Sequence, residues 1–217
     1  MLPAPFDLLP LFASGAIVTI QILVSSAVVA FVVSFLAGLS RLSKNRALRW
    51  FTTAYVETFR GSSLLVQMFW FFYAFPILFD VRSMPPFLAG MLAIGLNYGA
   101  YGSEVVRSAV QAVPKGQTEA SIALNFTPLQ RLRFIVLPQA FPMMLPSFGN
   151  LLIELLKSTS LVSLITIADM TFRANVLNNT LYRTEEIYIV LLLLYFAIAY
   201  PLLRFVRWYE RRATAGR

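Results

Sequence analysis

The stretch Ala16–Leu39 reads AIVTIQILVSSAVVAFVVSFLAGL and carries no charged side chain. It lies inside a longer uncharged run, Leu8–Ser40. A helix needs about 20 apolar residues to cross the hydrocarbon core of a bilayer, so this stretch is long enough. No basic residue precedes it, and it is longer than the apolar part of a cleaved leader peptide. We therefore predict a retained transmembrane helix.

The composition of the whole chain favours the same class. Of the 217 residues, 58% are hydrophobic and 13% are charged, whereas a soluble domain has about 25% charged residues. This excludes a soluble domain and a disordered chain as leading interpretations. The sequence has no Cys and no His, which removes the commonest metal ligand and general base. We predict no catalytic residue and no metal site in this chain.

Further apolar stretches predict more transmembrane helices. The third of them contains several glycines, which allow helices to approach closely in lipid, and the fourth contains Pro138, Pro142 and Pro146, which should make its first part irregular. The fold class is therefore an all-α membrane protein with five transmembrane helices. The predicted spans are about 13–39, 58–79, 84–106, 139–158 and 187–208.

The net charge of +8 comes from basic residues grouped between the apolar stretches. This arrangement indicates orientation in a bilayer and not nucleic-acid binding. Most of them fall on one side of a five-span chain. Because basic connections stay in the cytoplasm, residues 1–12 should be extracytoplasmic and the tail 210–217 cytoplasmic. A multi-pass protein of the cell inner membrane is expected, with residues 161–184 outside.

The connection 110–138 differs from the other loops. Pro114 and Gly116 should break the incoming helix, and a short helix should open at Gln117 or Thr118. Asn125 should end that helix in the left-handed conformation.

A second short helix should follow. Thr127 is placed to cap it, and Pro128 is placed at its first position, with Val136 near its end. The small side chains in the first helix suit docking into a groove of a partner. A merely solvated helix at the membrane surface is the alternative.

A family resemblance rests on this loop. Glu119-Ala120-Ser121, Asn125 and Ile135-Val136-Leu137-Pro138 resemble the EAA loop of ABC importer permeases, whose pattern is Glu-Ala-Ala, three residues, Gly, nine residues, Ile, any residue, Leu-Pro. The spacing agrees throughout, and Ser121 and Asn125 replace Ala and Gly. The resemblance implies an ATPase-coupling role for Gly116, Glu119, Ala120, Ser121, Asn125, Ile135, Leu137 and Pro138.

The resemblance extends over nearly the whole chain. Residues 58–67, 101–117 and 156–161 are similar to permeases of the polar amino-acid uptake family, of the histidine, glutamine and arginine type. Within that group, Leu96–Gly102 and Ala123–Asn125 look most like permeases for ectoine and hydroxyectoine.

This resemblance implies a type I importer permease domain over 13–209, with a cytoplasmic coupling helix. The implied partners are a second permease chain, identical or related, a cytoplasmic ATPase dimer that binds ATP and Mg²⁺, and an extracytoplasmic solute-binding protein. No Gly-x-x-x-x-Gly-Lys-Ser/Thr motif occurs in the sequence. We therefore expect a transport subunit that is not an enzyme and binds no cofactor of its own.

Three acid–base pairs lie in or beside the predicted spans at i, i+3 spacing: Glu57 with Arg60, Glu104 with Arg107, and Glu154 with Lys157. Mutual neutralisation inside the bundle is the simplest interpretation. Glu154 and Lys157 could instead line a solute path. Asn97 either bridges helices or faces a cavity. The candidates for the solute path are Asn97, Glu154, Lys157, Ser158 and Thr159.

Two other functions remain open from the sequence. An integral membrane enzyme acting on lipids would need a cluster of reactive polar groups at one interface. A passive channel would not need a loop that docks a partner.

Overall fold

The computed structural model describes residues 4–80 and 82–215, and within them every regular element is a helix. The predicted all-α class is therefore confirmed. The helices are α1 Leu9–Ser40, α2 Arg46–Gly61, α3 Leu64–Phe69, α4 Phe75–Leu78, α5 Pro86–Ala112, α6 Lys115–Ala123, α7 Pro128–Arg131, α8 Leu137–Ser158, α9 Met170–Leu181 and α10 Thr184–Ala215. Two π-helical segments, Trp70–Ala74 and Leu132–Val136, join α3 to α4 and α7 to α8.

Three helical stretches in the described residues are long and apolar enough to cross a membrane, namely Phe6–Ser40, Pro128–Ile165 and Thr184–Trp208. A fourth crossing would come from the bent pair Arg46–Gly61 and Leu64–Leu78. Five crossings and their orientation stay predictions. We call the end that carries Ser40 and α6 the inner end, after the predicted orientation, and the opposite end the outer end.

Helix α1 places its small polar side chains inward and its large apolar ones outward. Thr19, Ser26 and Ser34 are buried, whereas Val24, Val28 and other large apolar residues of α1 are exposed. In water this pattern would be costly, but in lipid the outward apolar face is the favourable one. The distribution therefore supports the membrane location read from the sequence.

Helix α5 is the central helix of the bundle and packs along α1. Glycines make the close approach possible: a Cβ at Gly102 would lie 2.0 Å from the Ser34 hydroxyl oxygen, and one at Gly95 would lie 2.6 Å from Val29. This confirms the packing role expected for glycines in the third apolar stretch. Asn97 and Ser103 of α5 are tolerated because they are buried in protein and do not face lipid.

The predicted span 58–79 is interrupted by a sharp break. Helix α2 ends at Gly61, Ser62 and Ser63 have extended backbones, and the next helix leaves at 108° to α2. Apolarity alone suggested one continuous span, but Gly61 favours a helix end. The apolar helix after the break therefore begins at Leu64 and not near residue 58.

Both π-helical segments end two residues before a proline. The widened turns close with Phe75 and Leu137 donating to the residues five positions earlier, and Pro76 and Pro138 follow. A widened turn relieves the clash between a proline ring and the preceding turn. The irregularity expected in the first part of the fourth stretch is found before Pro138. At Pro142 and Pro146 the expectation was wrong, because both lie inside α8.

Candidate functional site

Helix α6 is the short helix predicted in the loop, and its end has the predicted form. Asn125 is left-handed, with φ of 59°. Its N–H donates to Ile122 O over 2.9 Å, and the Phe126 N–H donates to Ser121 O over 3.0 Å. These two bonds are those of a Schellman motif. The helix begins at Lys115, two residues before the predicted start, because Pro114 serves as its N-cap residue.

The second predicted helix begins where expected but does not stop. Thr127 and Gln130 form a capping box, in which Thr127 Oγ1 accepts from the Gln130 N–H and Gln130 Oε1 accepts from the Thr127 N–H. The helix then passes Val136 and continues into α8. The second half of the predicted coupling loop is thus the inner end of a long helix.

The loop presents exposed apolar side chains beside an exposed carboxylate. Glu119 and Ala120 are exposed, whereas Ser121 is buried and donates to Thr118 O over 2.6 Å. Large apolar side chains stand around them: Ile122 is 53% exposed, Leu124 69% and Leu129 73%. We call Glu119, Ala120, Ile122, Leu124 and Leu129 the coupling surface. An apolar patch rimmed by polar groups is typical of a protein-binding site.

Contacts join α6 to the inner end of α8. Gln139 Nε2 donates to Ile135 O over 2.8 Å and lies 3.5 Å from Gln117 Oε1. Val136 belongs to an apolar cluster that includes Val113, beside the start of α6. The other residues implied by the resemblance lie in this region: Gly116 and Pro138 are exposed, and Leu137 is half-buried.

A buried amide network closes the break between α2 and α3. Asn97 Nδ2 donates to Phe59 O over 2.9 Å and to Gln67 Oε1 over 3.1 Å. Gln67 Nε2 donates to Phe59 O over 2.9 Å and to Ser62 Oγ over 2.8 Å. The carbonyl groups freed by the break therefore have partners. Of the two alternatives for Asn97, these bonds match the bridging of helices.

The α8 candidates for the solute path do not form one cluster with Asn97. Glu154 and Lys157 are exposed and form no ion pair within the described residues. Ser158 Oγ lies 2.8 Å from the Tyr98 hydroxyl, and Thr159 is buried and donates to Leu156 O. The expected Glu154–Lys157 pair was wrong: Lys157 instead lines a groove with Thr171 and Tyr195.

The inner ion pairs are arranged differently from the predicted pairs. Glu104 accepts from Arg107 Nε over 2.8 Å, so that predicted pair is confirmed. It also pairs with Arg41 and lies 3.4 Å from Arg60. Glu57 is exposed without an ion-pair partner in the described residues. The predicted Glu57–Arg60 pair was therefore wrong, since the end of α2 brings Arg60 to α5.

An ion pair at the outer end ties the N-terminal segment to α10. Arg183 donates to Asp7 over 2.8 Å and also pairs with Glu186. The hydrogen bond from Arg183 lowers the pKa of the Asp7 carboxyl. These groups hold the outer end together.

A buried carboxylate starts α9 at the same end. Asp169 Oδ1 accepts from the Phe172 N–H over 2.9 Å, which caps α9. Burial raises the pKa of Asp169. Asp169 therefore has a structural role and is not part of an exposed face of residues 161–184.

Residues 30–215 match the family model described as "Binding-protein-dependent transport system inner membrane component". The chain belongs to this family. It is a permease of the amino-acid ABC transporter type, and its curated relatives are permease subunits and not enzymes.

Two relatives match this permease over almost its whole length. A probable amino-acid ABC transporter permease of Sinorhizobium fredii (strain NBRC 101917 / NGR234) is 48% identical, covering 97% of this chain and 90% of the relative. The L-cystine transport system permease protein TcyB of Bacillus subtilis (strain 168) is 36% identical, covering 96% and 91%.

Solved structures agree with this assignment. A crystal structure of an amino acid ABC transporter with histidines has a TM-score of 0.87 and 31% identity, covering 98% of this permease and 100% of that chain. The MetNI methionine ABC transporter has a TM-score of 0.72 at 20% identity. The match covers 96% of this permease and 99% of that chain, and it shows the shared fold. The type I importer permease fold is thereby established.

Sequence reasoning missed several residues of these networks. Gln67 is an amide in an aromatic-rich apolar stretch, as isolated as Asn97, and that isolation was a usable signal. Arg41 and Tyr98 carried no such signal, because arginine at the end of a span and tyrosine near one are both common in membrane proteins.

Proposed function

We propose that this permease is one subunit of an importer that moves a polar amino acid or an amino-acid-derived compatible solute across the inner membrane. The relatives are named for amino-acid, L-cystine and glutamine transport, which supports the broader class. Ectoine or hydroxyectoine is the narrower proposal and rests on Leu96–Gly102 and Ala123–Asn125.

The coupling surface is the observation that carries the proposal. It offers one carboxylate and three exposed apolar side chains on and beside a helix that ends in a Schellman motif. A cytoplasmic ATPase dimer, which would hold ATP and Mg²⁺, is the proposed occupant. Closure of the ATPase would push α6, and the contact between Gln117 and Gln139 would pass the displacement to α8.

The exposed charges of α8 support the proposal of a second permease chain. Glu154 and Lys157 are exposed in this chain, and a charge facing lipid near the middle of a bilayer costs roughly 3 kcal/mol. A second permease, identical or related, would cover this face and enclose a polar path. A solute-binding protein would deliver the solute at the outer end.

A purification experiment tests the coupling surface. Glu119→Lys should abolish co-purification of the ATPase, because it reverses the one exposed charge of the surface. Glu185→Lys is the matched control, since it makes the same change on an exposed acid at the outer end. Retained ATPase in the Glu119 variant would refute the proposed docking site.

An uptake experiment tests the solute and its path. Uptake of a labelled solute is measured with unlabelled ectoine, glutamine, arginine, histidine or cystine added in turn. Only the true solute should inhibit it. Glu154→Gln should lower uptake about tenfold with assembly intact, because a lost charge–solute hydrogen bond costs about 1.5 kcal/mol. Glu57→Gln, another exposed and unpaired acid, should leave uptake unchanged. Equal uptake by the two variants would remove Glu154 from the path.

A further inference from the structure

Helix α2 has two halves with different surroundings. In its second half Val56 is fully buried and the Tyr55 hydroxyl donates to Leu96 O over 2.6 Å. In its first half every residue from Arg46 to Phe51 is exposed. The exposed fractions of the large apolar side chains are 44% for Leu48, 68% for Trp50 and 72% for Phe51.

The direction of α2 is fixed by the buried amide network. Helix α2 begins at Arg46, shortly after α1 ends at Ser40, so its first half lies at the inner end. Gln67 and Asn97 hold Phe59 O and so fix the end of α2. The exposed half of α2 is thus held next to the inner end of α1.

The exposed half is basic and lacks acidic partners. Lys44, Arg46 and Arg49 form no ion pair within the described residues, and no acidic residue stands in the first turn of α2. Cations near a helix N-terminus are unfavourable for the helix dipole. An external anion would neutralise the unpaired basic charges and offset their unfavourable interaction with the helix dipole. The Asn45 side chain already accepts from the N–H groups of Ala47 and Leu48, so the basic side chains are the available anion ligands.

We propose that residues 44–51 bind anionic phospholipid of the inner leaflet. Lys44, Arg46 and Arg49 would contact the phosphate groups, while Leu48 and Phe51 enter the acyl region and Trp50 lies at headgroup level. Basic side chains beside exposed aromatic ones at the membrane–water interface are the composition of an interfacial anchor. A second copy meeting this segment about a twofold axis would bring like charges together, which is unfavourable.

Tryptophan fluorescence of the full chain tests this proposal. The chain has three Trp residues, so Trp70→Phe with Trp208→Phe leaves Trp50 as the reporter. In nanodiscs, lipids brominated in the upper acyl chain should quench Trp50. At equal mole fraction, brominated phosphatidylglycerol should bind next to Trp50 about tenfold more tightly than brominated phosphatidylcholine.

Matched charge variants identify the source of the preference. Arg46→Gln with Arg49→Gln should bring the tenfold ratio close to one, whereas Arg204→Gln with Arg207→Gln, two exposed arginines of α10, should leave it unchanged. A ratio of one in the parent chain would overturn the proposal. Quenching of Trp50 by acrylamide but not by brominated lipid would also overturn it. A loss of quenching by lipid when the partner subunits bind would do the same.

A second probe keeps the test independent of the Trp substitutions. Because the sequence has no Cys, Phe51→Cys gives a single site for a spin label. The label should be reached by oxygen dissolved in the acyl region and shielded from a water-soluble relaxation agent. The reverse pattern would place residues 44–51 in water and refute the proposal.

Discussion

Two amides determine how the chain tolerates a right-angle break within its membrane region. Gln67 and Asn97 supply three donors to Phe59 O and Ser62 Oγ, and no water is present in a bilayer core to replace them. Each residue would be unfavourable in a lipid-facing position, yet both are favourable here because they satisfy backbone and side-chain acceptors that the break leaves free.

Removing the Asn97 amide should destabilise the protein. Asn97→Leu leaves one donor fewer for Phe59 O, so we expect a loss of about 1–2 kcal/mol in the free energy of unfolding. Denaturation in mixed micelles measures it. Asn179→Leu, which changes an exposed amide, should have little effect. Equal stability of the two variants would contradict the role given to Asn97.

The Asp7–Arg183 pair predicts a pH dependence. Its carboxyl has a lowered pKa in the folded protein, so the pair stabilises the fold above the ordinary value of 3.8 and its contribution disappears as the pH falls through the lowered pKa. Asp7→Asn should therefore lower the melting temperature by about 1–2 °C at pH 6. The difference from the parent chain should vanish in strong acid; a difference that persists there would exclude the ion pair as its cause.

At the scale of elements, the packing of α1 against α5 depends on the absence of side chains. A Cβ at Gly102 would meet the Ser34 side chain, and one at Gly38 would lie 2.7 Å from Val106. Helices in lipid gain stability from close van der Waals contact, because no hydrophobic effect drives them together. The glycines are therefore the stabilising feature of this contact.

Gly102→Ala should separate the two helices and lower the free energy of unfolding by about 1–3 kcal/mol. Gly116→Ala is the control, because no atom lies within 4 Å of a Cβ built there. Thermal unfolding in detergent compares the two. If the two variants lose equal stability, close packing at Gly102 is not the cause.

At the scale of the whole molecule, the chain should have an odd number of crossings with its C-terminus in the cytoplasm. Green fluorescent protein fused after Arg217 should be bright, because it folds in the cytoplasm. A phosphatase fused at the same position should be inactive. The opposite pair of results would reject the five-span topology.

The sequence predicted the parts that depend on local chemistry. The left-handed Asn125, the Thr127 cap and the Glu104–Arg107 pair all follow from residue type and short spacing. The turn after Gly61 was missed because hydropathy sums over a stretch and does not record direction.

Long-range partners were also beyond sequence reasoning. Arg60 lies three residues from Glu57 along the chain, but the fold brings it to Glu104 on another helix. The spacing of Glu154 and Lys157 allowed a pair, but Lys157 lines a groove with Thr171 and Tyr195 of neighbouring helices. Helix periodicity alone does not state which face a neighbour will cover.

The unbroken helix that begins at Pro128 has a mechanical consequence. Lys157 lies about 40 Å along it from the inner end, at about 1.5 Å per residue. If this helix tilts by about 10° about its inner end, the position of Lys157 moves by about 7 Å, which exceeds the rise of one helical turn. A small rotation of this helix at its inner end would thereby move its outer end by a distance comparable to the size of a solute.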